Sequence, residues 1–286
     1  MNKVICFIVC SIILSNWVAT GQERTNGSEN AVLSTDNKTV YPEYAEISHR
    51  GDPPYLLTLG WIPLLNGENM DGWEYVPNSG EGGWTTTSGV IWDGDDDSAD
   101  LKGINSSGDR IINTPSATGM VASDLVTVRK FGDMEIYLEF LVAKTSNSGV
   151  YVHGLYEIQI VDSYDKESSN PGSICGSVYD FAETVNGEYV GGVFPLARAE
   201  RPTGQWQSYH ILFKAPRFDS DGNKISNAKF VRVIHNGKVI HENVERKART
   251  RASMKIPEAS ENPLMLQGNH GTIAYRNIYI RPVELD

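Results

Sequence analysis

The segment Glu157-Ile158-Gln159-Ile160-Val161-Asp162 places two carboxyl groups around an amide, and it is the part of this sequence best equipped for chemistry. With the two-residue period of a strand, Tyr156, Ile158 and Ile160 face a core and turn Glu157 and Gln159 to the opposite side. Strict alternation would send Asp162 inward, where an unpaired carboxylate is costly. Two arrangements stay open. A β-bulge near Val161 would rotate Asp162 onto the face of Glu157 and Gln159. Alternatively, the strand ends at Val161 and Asp162 begins a turn. In the first case two acids and an amide converge on one surface, the equipment for general acid–base work.

Other polar residues fall on the same expected face. Glu139 lies on a longer strand, Tyr151 and His153 on the strand just before, and His210 four residues after Trp206. Gln267 points opposite to Leu264 and Leu266, with His270 in the turn that follows. A concave sheet lined by acids, amides, His and Tyr suits a sugar-like polyol. The expectation is therefore that Glu157, Asp162 and His270 share the acid and base roles. Glu139, Tyr151, His153, Gln159, His210 and Gln267 are expected to contact substrate. Trp84, Trp92, Tyr179 and Phe181 are candidates either for stacking on a sugar ring or for the core.

Two acidic stretches, Asp93 to Asp100 and Asp219-Ser220-Asp221-Gly222-Asn223, invite a calcium reading. Neither has the spacing and closing Glu of an EF-hand, and both read as solvated turns. No metal ligand set and no cofactor motif is assigned, and zinc patterns, phosphate-cradling loops and nucleophile elbows are missing from the sequence.

Short alternating strands must position these residues. Ile136, Leu138, Phe140 and Val142 share one face of their strand, opposite Glu135, Tyr137 and Glu139. Tyr209, Ile211 and Phe213 turn inward, His210 and Lys214 outward. Between Phe230 and His241, Asn236-Gly237 signals a hairpin with a type I′ turn. A last strand spans about Thr272 to Val283. No internal repeat or three-turn amphipathic helix interrupts the pattern, so the expected fold is all-β, a two-sheet antiparallel sandwich.

Composition narrows the classes further. The 286 residues carry 25 Lys+Arg against 36 Asp+Glu, a net charge of −11, and 40% are apolar. That apolar share supports a packed core. The only basic run, Glu245 to Arg251, is too short for a nucleic-acid footprint. Lys3 followed by the apolar run Val4 to Leu14 and small residues up to Gly21 reads as a secretory signal peptide over residues 1–21. Residues 22–55 read as a polar arm, and 56–286 as the folded domain. The expected location is periplasmic or secreted, with no stable membrane insertion once the leader is removed. Loss of the leader leaves Cys175 as the single cysteine, expected to be a small buried residue.

Several motifs together resemble one family. They include Leu65 to Trp73, Gly132 to Phe140, Asn147 to Tyr151, Tyr156 to Ser163, Ala215 to Asp219, His235 to Gly237, and Arg276 to Pro282. They resemble the 3-keto-disaccharide hydrolase domain family of secreted bacterial proteins, over about Leu59 to Val283. That resemblance implies a concanavalin A-like lectin/glucanase sandwich that acts on glycosides carrying a ketone at carbon 3, so the implied partner is an oxidised disaccharide or glycoside. The spacing Glu157-x-Gln159-x-x-Asp162 is also similar to the Glu-x-Asp-x-x-Glu strand of family-16 glucanases, with Gln for the central Asp and Asp for the final Glu. A conventional retaining glycosidase and a non-catalytic carbohydrate-binding module are the alternatives.

The leader predicts a defined start. Intact-mass analysis of the exported protein should place its N-terminus near Gln22, and a chain still carrying Lys3 would refute the cleavage.

Overall fold

Alternating apolar residues pair two antiparallel sheets face to face, and the computed structural model shows both. It describes residues 60–80, 82–92, 94, 100–105, 107–113 and 122–286, all of them within the unit Glu43–Asp286. The expected leader and polar arm lie outside the described residues.

One sheet has eight strands. Its order is Lys238–Arg246, Ala228–His235, Gln207–Lys214, Met134–Val142, Ile273–Pro282, Arg110–Asn113 and Trp84–Thr87, and Ile62–Pro63 pairs with Ile273–Pro282. The other has five strands, in the order Tyr156–Val161, Asn147–Val152, Asn262–Leu266, Leu125–Phe131 and Trp73–Tyr75. Three two-stranded hairpins and a short 3-10 turn at Pro171–Ser173 complete the described elements.

The predicted faces hold. Ile136, Leu138, Phe140 and Val142 meet Val150, Val152, Tyr156, Ile158, Ile160, Leu264 and Leu266 in one core, and Tyr209, Ile211 and Phe213 join them. Burying a side chain of this size stabilises the fold by roughly 1.5–3 kcal/mol. Aromatic rings join the layers: Phe213 lies 5.6 Å from both Tyr156 and Phe230, and 5.0 Å from His153. The hairpin turn at Asn236 (φ 48°) and Gly237 (φ 81°) has two left-handed residues, as a type I′ turn requires. Cys175 is buried with its thiol 3.3 Å from the Tyr209 hydroxyl, and burial raises its pKa to about 11.

A smaller apolar cluster covers part of the outer face of the eight-stranded sheet. There Ile112, Leu141 and Ala274 pack under the Gly89–Trp92 and Leu101–Ile104 hairpin, against Trp92 and Trp206. Trp92 packs in this cluster and Trp84 in the main core, while Tyr179 stands beside Glu157.

Phe213 is fully buried between the layers. Phe213→Ala should cost about 3–5 kcal/mol of unfolding free energy, measured by urea denaturation; a loss under 1 kcal/mol would contradict the inter-sheet packing.

Candidate functional site

The five-stranded sheet spends one face on the core and leaves the other for polar groups. Across that second face Glu157 pairs with Tyr151, Tyr151 with Met265, and Met265 with Val126. In the next row Gln159 pairs with Gly149, and Gln267 donates its N–H to the Gly149 carbonyl at 3.0 Å. The two rows bring Glu157, Gln159, Tyr151 and Gln267 together from three strands. Gly149 is required by close approach: a Cβ there would stand 2.3 Å from Oε1 of Glu157. The carboxyl therefore lies over bare backbone of the neighbouring strand.

Although it points away from the core, Glu157 is only 2% exposed. Tyr179 donates its N–H to the Glu157 carbonyl (3.2 Å), and the Glu157 N–H donates to Thr250 Oγ1 (3.1 Å). Above them Arg251 donates from Nη2 to the Tyr179 hydroxyl (2.8 Å), its guanidinium 4.2 Å from the Tyr189 ring. Desolvation pushes the Glu157 carboxyl up to about 8. A hydrogen bond with Tyr151 and the charge of Arg251 offset part of that shift, and the charge of Asp124 adds to it. The group is thus protonated at neutral pH. Its Oε2 has no hydrogen-bond partner, nor do Oε1 of Gln159 and Oε1 of Gln267. Nε2 of Gln159 donates to the Gly172 carbonyl at 2.6 Å, which fixes its amide orientation. Buried polar atoms without partners are rare, and several on one sheet face mark a place for a polar ligand.

A cleft of about 450 Å³ adjoins this group, lined by Val76, Asn78, Asp124, Met254, Lys255 and Asn269 among others. The ring of Tyr151 packs with Met265, Val126, Val76 and Met254, while its hydroxyl meets Glu157, so one aromatic ring joins the buried carboxyl to the cleft wall. Asp124 is the residue that sequence reasoning missed. It stands just before the Leu125–Phe131 strand, a polar position that looks like a strand edge. Its importance comes from a partner 144 residues away, because Gly268 N–H donates to its Oδ1 at 2.8 Å. Burial raises Asp124 to about 6, against the lowering effect of the Gly268 and Asn269 backbone.

Four expected site residues stand elsewhere. Register with Asn147–Val152 is unbroken to Val161, so no bulge forms and Asp162 begins a turn. There its Oδ2 accepts from Thr145 N–H (2.9 Å) and Lys166 Nζ (2.8 Å). Glu139 and His210 belong to the outer face of the eight-stranded sheet, across the core from Glu157. Glu139 accepts from Arg276 Nε (2.6 Å) and the Tyr137 hydroxyl (2.8 Å), and His210 Nε2 lies 3.6 Å from Glu135. His153 was assigned to the face of Tyr151, but its left-handed φ of 58° breaks the alternation. Its ring turns into the core with Nε2 3.2 Å from the Gly132 carbonyl, and burial lowers its pKa to about 4.

His270 is exposed at the sheet's end, where its carbonyl accepts from Asn147 N–H (3.0 Å) and its ring meets the Asn269 side chain. Partial desolvation lowers its pKa. It borders the cleft through Asn269, roughly 13 Å along the strand from Tyr151 at 3.3 Å per residue. Among the described residues no group of three His, Cys, Asp or Glu side chains stands ready for a metal. Asp219 closes its own turn, accepting from Asp221 N–H (3.0 Å) and Asn223 N–H (2.8 Å). Most of the Asp93 to Asp100 stretch lies outside the described residues.

Residues 60–281 match the family profile described as a 3-keto-alpha-glucoside-1,2-lyase-like domain. No curated protein matches at a significant level. Among solved structures the chain is similar to a "putative glycosyl hydrolase" from Parabacteroides distasonis, at 24% identity over 78% of this chain and 84% of that one, with a TM-score of 0.55. A second "putative glycosyl hydrolase" from that organism aligns at 16% identity over 81% of this chain and 97% of that one, with a TM-score of 0.50. At these identities the likeness shows the shared sandwich fold.

Burial of Glu157 sets a pH dependence of stability. Its folded pKa of about 8 stands above the ordinary glutamate value of 4.5, so its contribution is complete below pH 4.5 and is lost as pH rises through 8. Glu157→Gln removes that loss. Between pH 5 and 9 the wild type should lose stability relative to the variant by about 4 kcal/mol, at about 1.4 kcal/mol per pKa unit, read from urea denaturation at both pH values. Parallel curves would mean that Glu157 ionises normally.

Proposed function

The chain belongs to the 3-keto-alpha-glucoside-1,2-lyase-like family, a carbohydrate-acting family, and on that footing we propose that it cleaves glycosides whose sugar carries a ketone at carbon 3, by elimination followed by hydration. The observation that carries this reading is the buried, protonated Glu157 beside unpartnered amide oxygens on one sheet face. Its substrate is an oxidised disaccharide or related glycoside. We also propose that it acts outside the cytoplasm, where the leader expected from residues 1–21 would send it.

The chemistry follows from the ketone. Ordinary glycosides break through an oxocarbenium-like state, with two carboxyls flanking the bond. Here the second carboxyl of the Glu157 strand is turned away in the Asp162 turn, which leaves that strand without a nucleophile and acid pair. A ketone at carbon 3 acidifies the hydrogen on carbon 2, so a base can remove it and the resulting enolate can expel the group at carbon 1. An acid must then protonate the departing oxygen. A carboxyl that stays neutral at pH 7 is suited to that task. The amide oxygens of Gln159 and Gln267 are acceptors for sugar hydroxyls. Water then adds across carbons 1 and 2, completing a net hydrolysis.

The mature protein should cleave 3-keto-glucosides in deuterated water with deuterium entering at carbon 2, and leave the matching unoxidised glucosides largely intact. Glu157→Gln should lower turnover of an alkyl 3-keto-glucoside by about 10²–10⁴-fold. Efficient cleavage of plain glucosides without exchange at carbon 2 would establish a conventional glycosidase instead, and sugar binding without any cleavage would establish a binding module.

A further inference from the structure

Elimination needs a base as well as an acid, and the Glu157 strand supplies no second carboxyl. We propose that Asp124 is this base, and that the cleft it lines holds the oxidised sugar with carbon 2 against the Asp124 carboxyl. The inference rests on the function proposed above and adds a named residue to it.

The placement of Asp124 carries the proposal. It is the only acidic side chain among the described residues that line the cleft. Its backbone is pinned on both sides: the N–H donates to Ser79 Oγ (2.8 Å), and the carbonyl accepts from Val76 N–H (2.9 Å). Gly268 N–H donates to Oδ1 at 2.8 Å, the Asn269 side-chain amide reaches Oδ2 at 3.5 Å, and the Asn269 backbone also bears on the carboxyl. Gly268 can come this close because it lacks a Cβ, which would lie 2.2 Å from the Ser123 carbonyl oxygen. These donors hold the carboxyl in a fixed direction on the cleft wall. The cleft, at about 450 Å³, falls within the range of small-molecule sites.

The proton and electron flow balances with these two groups. Asp124 Oδ2 takes the proton from carbon 2, and the C–H electron pair becomes the enolate of carbons 2 and 3. Collapse of the enolate restores the ketone at carbon 3, forms the double bond between carbons 1 and 2 and breaks the bond from carbon 1 to the leaving oxygen. That oxygen takes the Glu157 proton and departs as an alcohol. Hydration reverses the roles: Glu157 accepts a proton from the water that adds to carbon 1, and Asp124 returns its proton to carbon 2. The titratable groups around Asp124 are Lys255 in the cleft lining, Glu157, Tyr151 and Tyr275, on which its charge bears, and His270 beside Asn269.

Exchange and cleavage separate the two roles. With 3-keto-glucosides in deuterated water, Asp124→Asn should lose carbon-2 exchange and cleavage together, by about 10²–10⁴-fold and equally for good and poor leaving groups. Glu157→Gln should keep exchange within about tenfold of wild type, lose cleavage of an alkyl leaving group, and recover most of it with a nitrophenyl one. Asparagine retains the oxygen that accepts from Gly268, and the wild type gives a reading that needs no variant. Its exchange rate should rise about tenfold per pH unit below pH 6 and level off above it, as Asp124 ionises. Wild-type-like exchange in Asp124→Asn, or a wild-type exchange profile governed by a group near pH 8, would overturn Asp124 as the base while leaving the elimination reading intact. Cleavage by the wild type without any exchange would overturn both.

Discussion

Three glutamates with almost no exposure show what a buried carboxyl depends on in this fold. Glu135 and Glu139 on one sheet, and Glu157 on the other, each occupy an outward position of an alternating strand. Arg281 meets Glu135 through Nε at 2.7 Å, and Arg276 meets Glu139 at 2.6 Å. Burial alone would raise Glu135, but His210 and Arg281 outweigh it and bring its pKa down. At Glu157 the nearby guanidinium of Arg251 donates to the Tyr179 hydroxyl, and desolvation wins. The same residue type is therefore an ion-pair member on one face and a proton store on the other. The difference lies in which cation the neighbouring elements bring to it.

That difference needs both sheets. The eight-stranded sheet supplies Phe213, Phe230 and Tyr209, against which Tyr156, Ile158 and Ile160 pack. With those three residues locked inward, Glu157 has no alternative register, since a slip of one residue would bury it among aromatic rings. Held there, it meets Gly149, and a side chain in place of that glycine would force the carboxyl off the neighbouring strand. Sheet packing thus fixes the direction of Glu157, and one missing Cβ fixes where the carboxyl comes to rest.

Alternation was legible wherever a strand stayed regular. It gave the right faces for Ile136 to Val142, for Tyr156 to Ile160 and for Tyr209 to Phe213, and Asn236-Gly237 gave the hairpin. It carries no information about which sheet a strand joins. Glu139 and His210 were therefore given the right kind of face on the wrong layer. His153 was misplaced for a local reason, a single left-handed residue between two strands. Asp124 could not be found from spacing, because its anchor, Gly268, is brought to it by pairing between Leu125–Phe131 and Asn262–Leu266.

Gln159 explains why the second carboxyl should stand on another strand. Its Nε2 donates to the Gly172 carbonyl at 2.6 Å and so ties the Pro171–Ser173 turn to the sheet. An ionised Asp or Glu at that position would set a buried carboxylate against a carbonyl oxygen, two acceptors with no proton between them. It would also stand two residues from Glu157 on the same face, where each charge raises the cost of the other. The neutral amide avoids both penalties and keeps the Pro171–Ser173 loop docked on the sheet. It also leaves Glu157 with no acidic neighbour on its own strand. With Asp162 held by Lys166 in the following turn, a second carboxyl acting with Glu157 has to come from another strand, and Asp124 is the carboxyl whose charge bears on it.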